Sequence, residues 1–131
     1  MDESLALMFV GAICALMGIV MNVNPIKFDE DLLGALEGEL SERENILRNF
    51  GAQLRCAIGA LAISIGIIAI YNRNLATNDA ENLLVSMGIG FVILMGVIAG
   101  GYYRGFVDRL IVPPLVIFTV LSSICFYAGL M

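Results

Sequence analysis

The stretch Leu83–Tyr103, LLVSMGIGFVILMGVIAGGYY, decides the fold. It is one apolar run, as long as the roughly 20 residues a helix needs to cross the hydrocarbon of a bilayer. It does not alternate with period two as a barrel strand would. A spanning segment must also satisfy every backbone N–H and C=O within itself, which a helix does. Three further runs read the same way: Leu5–Met21, LALMFVGAICALMGIVM; Cys56–Tyr71, extended upstream through Phe50 with Arg55 embedded; and Leu110–Met131, with Pro113 and Pro114 in its first turn. Proline is tolerated there because the first helical N–H groups lack intrahelical partners. The expected fold class is all-α: an integral membrane four-helix antiparallel bundle, one domain over residues 1–131. Its spans fall at about 4–22, 50–71, 83–103 and 110–130.

Composition agrees. Of 131 residues, 60% are hydrophobic and 15% charged, and the mean hydropathy is +0.92. A soluble domain is about 25% charged and 45–50% apolar. Four spans take about 80 positions and leave roughly 50, too few for a separate soluble domain with its own core. The first run could be taken for a secretory signal. Its leading residues, Met1-Asp2-Glu3-Ser4, lack the positive charge such a signal carries, and the run exits through Asn22, Asn24 and Pro25 with no small-x-small cleavage site. It is expected to be a retained span.

The chain has no His, which removes Ser-His-Asp triads, imidazole proton relays, bis-His haem ligation and His-containing zinc sites. It has no Trp, so an interfacial aromatic belt falls to Tyr71, Tyr102, Tyr103, Tyr127 and the phenylalanines. The net charge of -5, from 12 acids against 7 bases, disfavours nucleic acid as a partner. Nor does any polybasic segment point to anionic headgroups. Cys14, Cys56 and Cys125 lie in or at the rim of apolar runs without CxxC spacing, so they read as small packing residues rather than a redox pair or metal site. No catalytic residue, metal ligand or cofactor is assigned.

Between the first two spans, Phe28, Leu32, Leu36 and Leu40 recur every four residues, with Asp29, Glu30, Asp31, Glu37 and Glu39 on other faces. This predicts a short amphipathic helix over about 28–40 lying at the membrane surface or across a bundle end, weakened by Gly34 and Gly38. Ser41-Glu42-Arg43-Glu44 has capping-box spacing and should start a helix that runs through Ile46 and Leu47 into the second span. The remaining loops are expected at Asn72–Asn82 and Arg104–Arg109.

Small residues at four-residue spacing are candidates for close helix packing: Gly11 and Ala15, Ala62 and Gly66, and Gly96 and Gly100. The last pair, in the third run, is expected to make the closest helix contact. Such faces serve packing within one chain or association with a second copy. Charges gather near one expected membrane face. Arg48 and Arg55 share a face of the second helix, and Arg104 could pair with Asp108 one turn on if the third helix continues that far. The four could cradle an anionic group or serve as a structural clamp. The faces carrying Lys27, Arg43, Arg48, Arg55, Arg104 and Arg109 oppose one that carries Arg73 alone. The positive-inside rule then puts both termini outside the cytoplasm.

Asn45-x-Leu47-Arg48-x-x-Gly51 before a Gly/Ala-rich helix, Arg104-x-x-x-Asp108 before Pro113-Pro114, and Pro25 after the first span together resemble a pattern in small uncharacterised four-helix bacterial membrane proteins. Those proteins are distantly similar to the DoxX-like group. The resemblance implies a compact four-helix bundle in the bacterial inner membrane with a partly embedded first loop. It also implies a link to redox or thiol-associated membrane complexes. Three function classes follow from the residues. The first is a structural or accessory subunit that binds a membrane-protein partner or a second copy. The second is a lipid or small-molecule-binding bundle or carrier built on the Arg/Asp cluster. The third and least supported is an enzyme.

Overall fold

The computed structural model describes residues 1–34 and 38–131. Five helices follow in order: α1 (Glu3–Val23), α2 (Pro25–Leu33), α3 (Glu42–Tyr71), α4 (Thr77–Tyr103) and α5 (Val112–Leu130). Among the described residues there is no strand. Four of the helices, α1, α3, α4 and α5, are long and apolar enough to cross a membrane.

Local chemistry sets the boundaries. Asn24 caps α2 by accepting the Lys27 N–H at 3.0 Å, and Pro25 sits in its first turn, where a missing N–H costs nothing. Gly34 closes α2 at φ 93, a left-handed conformation that favours glycine, and donates its N–H to the Glu30 carbonyl. The amphipathic helix expected over 28–40 therefore starts and ends earlier. Leu36 and Glu37 lie outside the described residues, and Leu40 follows the helix rather than belonging to it.

The expected capping box forms. Glu44 N–H donates to Ser41 Oγ and Ser41 N–H donates to Glu44 Oε2, each at 3.2 Å. The helix it starts, α3, is 30 residues long. At 1.5 Å per residue that is about 45 Å, longer than the roughly 30 Å of a bilayer's hydrocarbon core. The loop expected at Asn72–Asn82 is shorter, because α4 begins at Thr77 with no side-chain cap.

α4 ends in a Schellman motif. Gly105, at φ 78, donates to the Tyr102 carbonyl, and the Phe106 N–H reaches the Gly101 carbonyl at 2.9 Å. This termination corrects one expectation. The helix stops at Tyr103, so Arg104 and Asp108 are not one helical turn apart and do not pair.

The chain divides into two compact units, Gly11–Ile68 and Met1–Val10 with Ala69–Met131. In the first, residues 11–23 of α1 run antiparallel to α3 along a seam of small residues. A Cβ added at Gly66 would fall 2.5 Å from the Gly11 carbonyl oxygen and 2.8 Å from the Ala15 nitrogen. One added at Gly59 would fall 2.8 Å from the Gly18 carbonyl, and one at Gly18 would collide with Gly59 and Ile63. Carbon atoms pack at about 3.5–4.0 Å, so no side chain fits at these positions. Asn22 closes the seam: its Nδ2 donates to Gly18 at 2.9 Å and across to the Cys56 carbonyl at 3.3 Å.

In the second unit α4 and α5 pack antiparallel. Phe126 stands 3.0 Å from a Cβ built at Gly88, and Val85 stands 2.9 Å from one built at Gly129. The buried Ser122 hydroxyl donates to the Gly88 carbonyl at 3.3 Å, and Phe91 stacks on Phe118. Leu7, Leu84, Leu121 and Cys125 are fully buried. Other hydroxyls turn back on their own helices: Ser64, Ser86, Thr119 and Ser123 each donate to the carbonyl four residues earlier. Each of these hydroxyls is thereby satisfied within its own helix.

Gly96 and Gly100 do not make the closest helix contact. A Cβ at either meets nothing within 4 Å. The packed stripe of α4 is Ala80, Leu84, Gly88 and Phe91. At 3.6 residues per turn, Gly96 and Gly100 lie roughly 120° or more round the helix from it. The tight seams are at Gly18, Gly59 and Gly66, and at Gly88 and Gly129.

Leucine at Gly18 or Gly66 should lower the thermal midpoint in detergent, since overpacking costs about 1–3 kcal/mol. Leucine at Gly96 or Gly100 should leave it within the roughly 0.5 kcal/mol typical of surface changes. Thermal unfolding of the four variants checks this, and a uniform loss across all four would contradict the packing described.

Candidate functional site

Arg48 and Arg55 belong to the unit Gly11–Ile68, and Arg104 and Asp108 to the other, so each pair is described where it stands. Seven residues apart on α3, Arg48 and Arg55 share the face turned toward α2. The residue that engages Arg55 is Asp29. Arg55 Nε donates to Asp29 Oδ1 at 2.7 Å, and its guanidinium sits 5.2 Å from the centre of the Phe28 ring. The two side chains are only 23% and 25% exposed. The contact ties α2 to α3 at the point where α3 turns from polar to apolar. A largely buried charge is costly without a partner, and Asp29 supplies one together with the aromatic face of Phe28.

Asp29 was visible in the sequence as one of several loop acids. What singles it out is the helix start at Pro25, which places Phe28 and Asp29 on adjacent positions of the turn that meets Arg55. The Asn24-Pro25 step was the available signal.

Arg48 lies one heptad earlier, on the wall of a cavity of about 470 Å³ between α2 and the first turns of α3. Ile26 and Leu33 from α2 and Leu47 from α3 make its apolar walls, and Glu30 and Glu44 stand beside it. Among the described residues neither Arg48 nor Glu30 forms a salt bridge. The opposite charges flank a space instead of closing on one another.

In the other unit, Arg104 turns onto the Phe106 ring, 4.6 Å from its centre, just past the end of α4. Asp108 is exposed in the loop before α5. The Schellman turn that ends α4 brings Arg104 to Phe106 rather than to the carboxylate.

No group of three or more His, Cys, Asp or Glu side chains suited to a metal occurs among the described residues. No disulfide joins Cys14, Cys56 and Cys125. The chemistry this region offers is charge pairing beside an apolar-walled space between α2 and α3.

Asp29→Asn and Arg55→Gln should each destabilise the protein, and the double variant should lose less than the sum. A double-mutant cycle read by thermal unfolding should give a coupling of about 1 kcal/mol, the upper end for ion pairs that are not fully buried. Strict additivity would mean that the pair contributes nothing to holding α2 in place.

No protein-family model, no curated protein and no solved structure matches this chain.

Proposed function

We propose that this chain is a small multi-pass membrane protein that acts as a structural or accessory subunit through helix–helix association. One observation carries the reading. The chain has two kinds of small-residue face, one filled and one open. Gly18, Gly59 and Gly66 are filled by backbone of the neighbouring helix, whereas Gly96, Gly100 and Gly101 on α4 have nothing within 4 Å of a built Cβ.

In lipid no hydrophobic force draws helices together, so association depends on close packing, and small residues four apart allow it. Around the open glycines α4 presents Val92, Ile93 and Val97, all exposed. An apolar transmembrane helix of a partner protein, or of a second copy, fits that surface.

The same proposal sets the four long helices as an antiparallel bundle in a bacterial inner membrane, with both termini outside the cytoplasm. The six-to-one division of bases supports this orientation. The layout resembling small proteins distantly similar to the DoxX-like group supports the bundle.

Purification in mild detergent should recover the chain with a stoichiometric membrane partner or as a defined oligomer. Gly96→Leu with Gly100→Leu should release that partner, or reduce the oligomer, while the thermal midpoint of the chain itself holds. An unchanged complex in the double variant would show that this face meets only lipid. A reporter active only in the cytoplasm, fused after Met131, should stay silent, and strong activity would reverse the orientation.

A further inference from the structure

We propose that the cavity between α2 and α3 holds the headgroup of a zwitterionic phospholipid with a primary amine, its phosphate against Arg48 and its ammonium against Glu30. The proposal rests on the membrane placement above, and is independent of what occupies the Gly96 face. At about 470 Å³ the cavity is of the size of small-molecule pockets, which run to roughly 300–1,000 Å³. Ile26, Leu33 and Leu47 make it mostly apolar. Gly51 is part of its lining, and a Cβ built there meets nothing within 4 Å.

Depth favours a lipid. The Arg55–Asp29 pair stands where α3 becomes apolar, and the cavity extends from Gly51 back to Glu44. That segment is in the part of α3 that overreaches the hydrocarbon, the zone of headgroups and glycerol. An amphiphile could lay its glycerol and upper chain carbons on the apolar walls while its head meets the charges.

Charge selects the kind of head. Asp29 is neutralised by Arg55, which leaves Arg48 on the α3 wall opposite Glu30 on the α2 wall, with Glu44 at the far end. Glu44 already uses one carboxylate oxygen on the Ser41 N–H. An anionic headgroup would meet Arg48 but also Glu30, which forms no salt bridge among the described residues. A simple cation would meet Glu30 but also Arg48. A group that carries phosphate and ammonium a few bonds apart satisfies both walls. A quaternary amine has the charge but no N–H to donate to a carboxylate.

The test measures lipid retention by native mass spectrometry after equal exposure of the detergent-purified protein to phosphatidylethanolamine, phosphatidylglycerol and phosphatidylcholine. The wild-type chain should retain the ethanolamine lipid about fivefold over either competitor, as expected when one or two partly exposed ion pairs of up to about 1 kcal/mol are at stake. Glu30→Gln should bring the ethanolamine and glycerol lipids close to parity. Arg48→Gln should weaken retention of both. Gly51→Leu should fill the cavity and abolish the ethanolamine preference while leaving the thermal midpoint unchanged or raised, because leucine is the better helix former.

Equal retention of the three lipids by the wild type, or a preference that survives all three substitutions, overturns the proposal. Soluble phosphoethanolamine should bind far more weakly than the lipid, since it leaves the apolar walls uncovered, and equal binding overturns the lipid assignment. Release of the chain from membranes by alkaline carbonate would overturn the membrane reading and this proposal with it. Retention in the membrane with no lipid preference overturns this proposal alone.

Discussion

Two helices in lipid gain nothing by hiding apolar surface from each other, because the lipid tails are as apolar as they are. On the proposed membrane placement, what holds α1 to α3 is the approach of backbone to backbone, and that depends on atoms that are missing. The Gly11 and Gly18 carbonyls occupy the space where Cβ atoms would stand at Gly66 and Gly59. Asn22 then adds a directional bond from its side chain to the backbone of the opposite helix. The Arg55–Asp29 clamp and the cavity beyond it sit on the continuation of this seam. Residues 11, 15, 18 and 22 on one helix, and 56, 59, 63 and 66 on the other, repeat at alternating steps of three and four, the spacing that keeps two helices in contact over several turns.

The helical class and the four long apolar segments were legible because they depend on a sum over some 20 residues, which single substitutions barely disturb. The capping box was legible for the opposite reason. Two side chains and two N–H groups within one turn settle it, and Ser41 and Glu44 carry all that it needs. The start of α4 was not, since Asn78, Asp79, Glu81 and Asn82 read as loop by composition. They form the first turns of the helix because nothing between Thr77 and the apolar run breaks it, and acids are favoured near a helix N-terminus.

The choice among glycines was the least legible part. Spacing of four marks a face, but not which face is used. Gly96 and Gly100 match the motif as well as Gly11, Ala15 and Gly66 do, yet on α4 the packed stripe is set by Ala80, Leu84, Gly88 and Phe91. Those residues share an angular position that becomes visible only when the partner, α5, shows where its Phe126 and Gly129 fall. For the charged residues the sequence left two readings open, a shared anion site or pairing with the first-loop acids, and Asp29, one of those acids, engages Arg55.

That reassignment changes the character of the polar end of the hairpin. Four arginine and aspartate side chains taken together suggest an anion site. Once Asp29 has engaged Arg55, what lines the space between α2 and α3 is Arg48 against Glu30 and Glu44, and the balance is no longer positive. A salt bridge between exposed side chains is worth less than about 1 kcal/mol, so little draws Arg48 and Glu30 together. Among the described residues they form no salt bridge but line the same apolar-walled space, in which a Cβ at Gly51 would meet nothing. The same economy of side chains that lets α1 and α3 meet at Gly59 and Gly66 leaves, two turns earlier at Gly51, room for something that is not protein.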